Sequence, residues 1–270
     1  EQYKTELKAP QTWAEFNAIA RFFTKKYNPD SETEYGTTLG GRYSSAALCE
    51  YLARFFAYGA AVFDHRGRVT LCSPAAIKAL QNYCESFLYA SPESPNHWWH
   101  EQVSEFAAGK AAMMMMYSSY VSPLMDRNAS RVVGKTSFCA IPGGKPVLGG
   151  WSFGINAHSK KKEASSAFIQ WVSGKDLAIP LTLLGNFSAS KTVFESDDIK
   201  TIYPWVPKSL EIYPDSVRRT LPKDKAGLSI KRYEQIIAGA VHQSIIGAAT
   251  PADALKAAAA ELTALLESNT

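Results

Sequence analysis

The sequence predicts an α/β fold, and three observations predict it. Helical apolar periodicity recurs behind recognisable N-caps, short apolar runs of strand length fall between the helical segments, and Gly or Pro turns separate the two kinds. The strands are too few for 270 residues of complete doubly wound sheet.

The first helix opens at Thr12. Thr12-x-x-Glu15 is a capping box, and Trp13, Phe16, Ile19, Ala20 and Phe23 follow at helical spacing. A polar loop over 28–34 ends it. Residues 44–58 read as a second helix with Leu48, Leu52, Phe55 and Phe56 on one side. Asp64-His65-Arg66-Gly67 is a turn leading into a short strand at Val69-Thr70-Leu71. Ser73-Pro74 starts the next helix, since Ser caps and Pro tolerates the first helical position. That helix carries Ile77, Leu80, Tyr83, Phe87 and Leu88.

Residues 91–97 are a loop, and Trp98 to Ala108 is helical, stopped by Gly109. Ala111 to Tyr117 is a continuous apolar run, read as a strand buried on both faces. Ser137 to Ile141 is another strand, closed by Pro142-Gly143-Gly144. Leu148 to Asn156 is extended and glycine-punctuated. Ser159 caps a helix through Phe168, Ile169 and Val172, ended by Gly174, and a further helix spans Asp176 to Leu184. Residues 186–228 are irregular and Pro-rich, with short helices. Ser229 to Gly247 is a long helix, and Thr250-Pro251 opens a last one along Leu255, Leu262, Leu265 and Leu266.

Composition bounds the function. Hydrophobic residues at 46% and charged residues at 20% argue against wholesale disorder. The net charge of +4 is scattered, its only dense run being Lys160-Lys161-Lys162, so no nucleic-acid partner is expected. No apolar stretch reaches membrane-span length; Leu52 to Phe63 is short and carries Arg54. No signal peptide opens the chain, which reads as mature, trimmed or a fragment. Cys49, Cys72, Cys84 and Cys139 have no metal spacing. They read as small buried apolar residues, with a Cys72–Cys84 disulfide left open.

Catalytic motifs are missing too. The five histidines show no HExxH, and neither a GxSxG elbow nor a P-loop is present. His97-x-x-His100 is a poor metal pair beside two tryptophans, and Met113 to Met116 read as core filling with strand alternation rather than soft-metal ligands. No cofactor, no metal and no enzyme activity are expected.

Several segments, in order, resemble the extracellular solute-binding proteins of bacterial sugar ABC importers, the maltose-binding-protein-like group. They are Pro10-x-Thr12-Trp13-x-Glu15-Phe16, Tyr58-Gly59, Phe63-Asp64, Gly67-x-Val69-Thr70-Leu71-x-Ser73-Pro74 (with Cys72 where Asn is usual) and Phe106-x-x-Gly109-Lys110-Ala111-Ala112-Met113. Pro142-Gly143-Gly144 follows, then Gly149-Gly150-Trp151-Ser152-x-Gly154-Ile155-Asn156-Ala157-x-Ser159-x-x-Lys162-Glu163-Ala164, and Thr250-Pro251-Ala252-Asp253-Ala254-Leu255.

The resemblance implies a type II periplasmic-binding-protein-like fold in which two lobes close on a ligand by hinge bending. It implies that a lobe-sized segment, on the order of 100 residues, precedes the Pro10 motif, which would account for the strand shortage. Residues 1–147 would then be second lobe, 148–203 the hinge and return segment of the first lobe, and 204–270 second lobe and closing helices. Without its partner sheet the return segment must pack differently, find another chain or stay unsettled.

A sugar needs flat rings beneath its C–H faces and polar groups at its rim. The resemblance puts Trp151, with Ser152 beside it, in contact with ligand. Trp98 and Trp99 are expected to point apart on their helix, so that at most one, Trp99, faces a cleft. Tyr117 and Tyr120 follow the methionine run where the family presents a loop to the cleft. Tyr35 and Arg42 are placed in a glycine-containing loop, and Asn186 and Phe187 follow Gly185 where the family's Pro is missing.

The function implied is capture of a mono- or oligosaccharide for an ABC permease's transmembrane subunits. The setting implied is extracytoplasmic, with the membrane touched only through a lipid anchor outside this chain. The alternative is a ligand-sensing module of a signalling or regulatory protein.

Overall fold

The computed structural model describes residues 7–43, 45–150, 152–184, 188, 190–218 and 229–268. In chain order the elements are α1 (Trp13–Phe22), β1 (Tyr35–Thr38), α2 (Ser45–Ala57), α3 (Pro74–Ser86), α4 (Trp99–Ala107) and β2 (Ala111–Met114). Then come β3 (Val147–Leu148), α5 (Lys162–Ser173), α6 (Lys175–Leu183), α7 (Lys191–Phe194), α8 (Asp197–Ile202), α9 (Val206–Ile212), β4 (Val217–Arg218), α10 (Ile230–Ile245) and α11 (Pro251–Glu267).

The caps act where the sequence places them. Thr12 Oγ1 accepts the Glu15 N–H while the Glu15 carboxylate accepts the Thr12 N–H, and Ser73 and Thr250 each cap a helix with Pro in its first turn. Among the described residues two pairs of parallel strands form, β1 with β2 (Tyr35 opposite Ala111, Thr38 opposite Met114) and β3 with β4. Parallel pairing requires long crossovers, and α2, α3 and α4 fill the one between β1 and β2.

The main core joins α2, α3, α10 and α11 through Tyr51, Leu52, Phe55, Leu80, Tyr83, Ile237, Val241, Leu255 and Leu262. Each such burial contributes roughly 1.5–3 kcal/mol. A second cluster sets Val103 and Ala107 of α4, with Val121 and Leu124, against Ala178, Val193, Ile199, Tyr203, Trp205 and Val206. Part of the span expected as a first-lobe segment therefore shares this core cluster with α4. By contrast, α5 buries no residue: Trp171 is 62% exposed, Phe168 51% and the neighbouring Phe153 65%.

Several local expectations are corrected. The run from Ala111 ends as a strand at Met114, because its partner strand β1 ends at Thr38, and its faces are half-buried rather than buried. The methionines do alternate, Met113 and Met115 packing on Trp13 and Phe16, Met114 and Met116 on the second cluster. Val69 makes a single antiparallel bridge to Phe63 instead of a strand, and residues 137–141 run without a ladder partner. Ser159 spends its Oγ on the Lys161 N–H, a local turn, so it does not cap α5. A 3₁₀ turn over Phe87–Tyr89 rotates Leu88 into solvent. No disulfide joins Cys72 and Cys84, and of the cysteines only Cys49 is buried, Cys72 and Cys139 being exposed.

Candidate functional site

A hollow of about 260 Å³ opens beyond the C-terminal end of β2. Met115, Met116, Tyr117 and Ser118 form one wall as the chain leaves that strand, and Trp99 at the start of α4 stands beside them. Cys49, Glu50 and Ala53 of α2 line it as well. The far side is Val147 to Gly149 together with Trp205, Lys208, Ser209, Ile212 and Tyr213 around α9. Ligand sites of α/β folds lie at this end of the strands, where backbone and side chains converge without being used up by a ladder.

Aromatic rings (Trp99, Tyr117, Phe138, Trp205 and Tyr213) stand among aliphatic and methionine side chains in the lining. The Trp99 ring meets Tyr117 edge-on at 5.5 Å, Tyr120 at 5.4 Å and Trp98 at 4.7 Å. The expectation that Trp98 and Trp99 point apart is thus corrected. Trp98 is the N-cap, in extended conformation, so helical spacing does not govern its ring. Its N–H donates to Glu101 Oε2 at 2.9 Å, which fixes the helix start. Tyr120 lies behind Trp99 against His100 and the second core cluster, and does not line the hollow.

The other expected residues fall elsewhere. Tyr35 is not in a loop. It begins β1, its N–H donating to Lys110 O, at the end of the strand pair remote from the hollow. Arg42 is exposed after β1, its N–H bonded to His97 O, and Ser152 is exposed. Trp151, Asn186 and Phe187 lie outside the described residues. The structure therefore gathers Trp99 and Tyr117 at the hollow and leaves Tyr35, Arg42, Tyr120 and Ser152 off its lining.

The polar residue that sequence reading missed is Glu50. It is 3% exposed, and its Oε1 accepts from the Gly40 N–H at 2.9 Å and from Gln102 Nε2 at 2.6 Å. Arg54, one turn on, approaches the other oxygen to 3.8 Å and lies 4.0 Å from the Trp13 ring and 4.5 Å from that of Tyr83. Burial raises the Glu50 carboxyl to about 7, against the opposing pull of the Arg54 charge, the Gly40 N–H and the Gln102 amide. Burial likewise lowers Arg54 from the usual guanidinium value. The available signal was two charges spaced i, i+4 inside an otherwise apolar helix. Trp205, Lys208 and Tyr213 carried none, since they come from a Pro-rich, aperiodic stretch.

Among the described residues no group of three or more His, Cys, Asp or Glu side chains is arranged to hold a metal. None of their helices is long and apolar enough to cross a membrane. The hollow can hold a small, largely neutral molecule between rings, with few polar contacts.

Parallel strand pairs wrapped by helices, with a hollow beyond the C-terminal end of β2, make an α/β module of the kind that carries its ligand sites at strand ends. The chain belongs to the family of bacterial extracellular solute-binding proteins, which matches residues 1–178. It is 27% identical to an ABC transporter solute-binding protein of Agrobacterium radiobacter solved with ribitol, with a TM-score of 0.81 over 94% of this chain and 64% of that one. A maltose-bound protein of T. maritima gives a TM-score of 0.84 at 23% identity, over 98% and 67% of the two chains. Among curated relatives, a mannitol-binding protein of Pseudomonas aeruginosa is 28% identical over 180 residues, 63% of this chain and 40% of its own length. A probable ABC transporter-binding protein of Deinococcus radiodurans is 22% identical over 255 residues, 92% and 60%. The fold is that of type II periplasmic binding proteins, and the chain spans 40 to 60% of the length of these two curated relatives.

Proposed function

We propose that this chain carries the ligand-capturing part of an ABC importer's binding protein and takes a small neutral sugar or sugar alcohol into the hollow beside Trp99 and Tyr117. The observation that carries this reading is the pairing of those rings at the strand ends in a chain of this family. Rings of this kind stack on sugar C–H faces, while Ser118, Ser209 and Tyr213 offer hydroxyls to the rim. The relative solved with ribitol and the mannitol-binding relative support a polyol-sized ligand. The activity is binding without turnover, the place of action is outside the cytoplasm, and the partners are the transmembrane subunits of a permease.

In the same reading, the apolar face of α5 with Phe153, Phe168 and Trp171 receives the part of the relatives' fold that this chain does not span. Residues 1–147 and the helices from 190 onward make one lobe, and 148–184 is the segment offered to the other. This moves the segment's end forward from 203, on the strength of the cluster that Val193, Ile199 and Tyr203 share with Val103 and Ala107 of α4.

A thermal-shift screen against ribitol, mannitol, maltose and other sugars tests the binding reading, since a ligand that prefers the folded state raises the melting temperature by mass action. A rise with a polyol or sugar that is lost in Trp99→Ala supports it. No rise in this chain, nor in one extended to the relatives' full length, rejects it.

A further inference from the structure

We propose that Glu50 is a positioning residue for the ligand hollow: its carboxylate clamps the Gly40 backbone and the Gln102 side chain together and so sets where the Trp99 wall stands. The inference rests on the reading of the hollow as a ligand site. The geometry is specific. Gln102 lies three residues after Trp99, on the same side of α4, so a tether on Gln102 fixes the turn that presents the Trp99 ring. The same amide nitrogen lies 3.5 Å from Thr38 O, at the end of β1. Gly40 belongs to the loop that leaves β1. A β-carbon there would lie 2.7 Å from Gln102 Oε1, so the glycine lets the amide close on the carboxylate. One carboxylate oxygen thereby joins the helix α2, the strand-end loop and α4, and two of these elements, α2 through Glu50 and α4 through Trp99, line the hollow.

A buried carboxylate is costly in a core where an apolar residue of like volume would pack without penalty. Glu50 Oε2 even lacks a hydrogen-bond partner. Glu50 itself lines the hollow, and the side chain it holds, Gln102, lies one turn from the Trp99 wall. The groups facing it are Arg54 from its own helix, Gln102 from α4, the Gly40 N–H from the loop and Tyr83 from α3, which it influences electrostatically. An ionised carboxylate is the stronger acceptor for both N–H donors, so the clamp is tight above the value of about 7 and loosens below it.

The test is a pH titration of the whole chain by ¹⁵N NMR, following the Gly40 amide and the Trp99 indole N–H in wild type, Glu50→Gln and Gln102→Met. In parallel, calorimetry with ribitol, mannitol and maltose reads affinity across the same range. Expected is one shared step at both nuclei, absent from Glu50→Gln. That comparison separates it from any step due to His97 or His100 beside Trp99. Gln102→Met should keep the Gly40 step and lose that of Trp99, and it serves as the deciding variant if Glu50→Gln does not fold. Affinity should fall about threefold or more from pH 8 to below pH 6 in wild type and stay flat in Glu50→Gln. The clamp is overturned if Trp99 keeps its step in either variant, or if a sugar binds with the same pH profile in wild type and Glu50→Gln. Shared titration with no sugar bound at any pH would uphold the clamp and count against the carbohydrate reading alone.

Discussion

The ring of Tyr117 lies directly on the α-carbon of Gly149: a β-carbon built there would be 2.9 Å from Tyr117 Cε1 and 3.2 Å from Cζ. The first residue after the methionine run is thus seated on the first residue after β3, and both line the hollow. Only a residue without a side chain permits that approach.

Gly149→Ala should therefore push the Tyr117 ring out of place. The expected result is a sugar affinity about tenfold lower with a stability loss of about 1–2 kcal/mol, as for other overpacked sites. Calorimetry and urea unfolding read the two separately. Unchanged affinity would detach Tyr117 from ligand binding.

Trp99→Ala removes the ring that touches Tyr117, Tyr120 and Trp98. A loss of about tenfold or more in affinity is expected, with Trp99→Phe retaining most of it, since the stacking face survives. Equal binding by Trp99→Ala and wild type would place the ligand elsewhere.

Arg54→Met leaves Glu50 buried without its cation and strips the guanidinium from Trp13 and Tyr83. Destabilisation of roughly 3 kcal/mol is expected at pH 8. It should be smaller at pH 5, where Glu50 takes up a proton. Chemical denaturation at the two pH values checks this, and a pH-independent effect would contradict the coupling.

Stability itself should depend on Glu50. Its folded value of about 7 lies above that of an unfolded carboxyl, so between the two the native state holds more protons than the unfolded chain. The stabilisation is complete below the unfolded value and is lost as pH rises through about 7, on the order of 3 kcal/mol in all. Glu50→Gln should flatten that slope. A wild-type stability that climbs from pH 5 to 7 in step with Glu50, and climbs no further, would reverse the sign and refute the assignment.

Trp171→Ala should alter the stability of this chain by less than about 0.5 kcal/mol, because the ring covers little. In a chain extended to the relatives' full length the same change should cost several times more. Equal effects in both would mean that the α5 face takes no partner.

Much of this was legible in the sequence. The Thr12–Glu15 capping box, the Ser-Pro and Thr-Pro helix starts and the helical spacing of Leu48, Leu52 and Phe55 are local signals, and local backbone chemistry reads them out in place. The ordered glycine and proline motifs carried the family, because turns and close approaches admit few substitutes. Trp99 and Tyr117 were expected from their positions beside those motifs, and both line the hollow.

What tertiary structure alone decided is whatever depends on contacts remote in sequence. The strand at Ala111 stops where β1 runs out, residues 137–141 have no ladder to join, and Tyr35 sits at the wrong end of its strand for the hollow. The Glu50 clamp joins Gly40 to Gln102 across more than fifty residues. No periodicity encodes it, since its stability comes from three surfaces meeting in space, and a buried charge pair looks, in the sequence, like two ordinary charges on a helix.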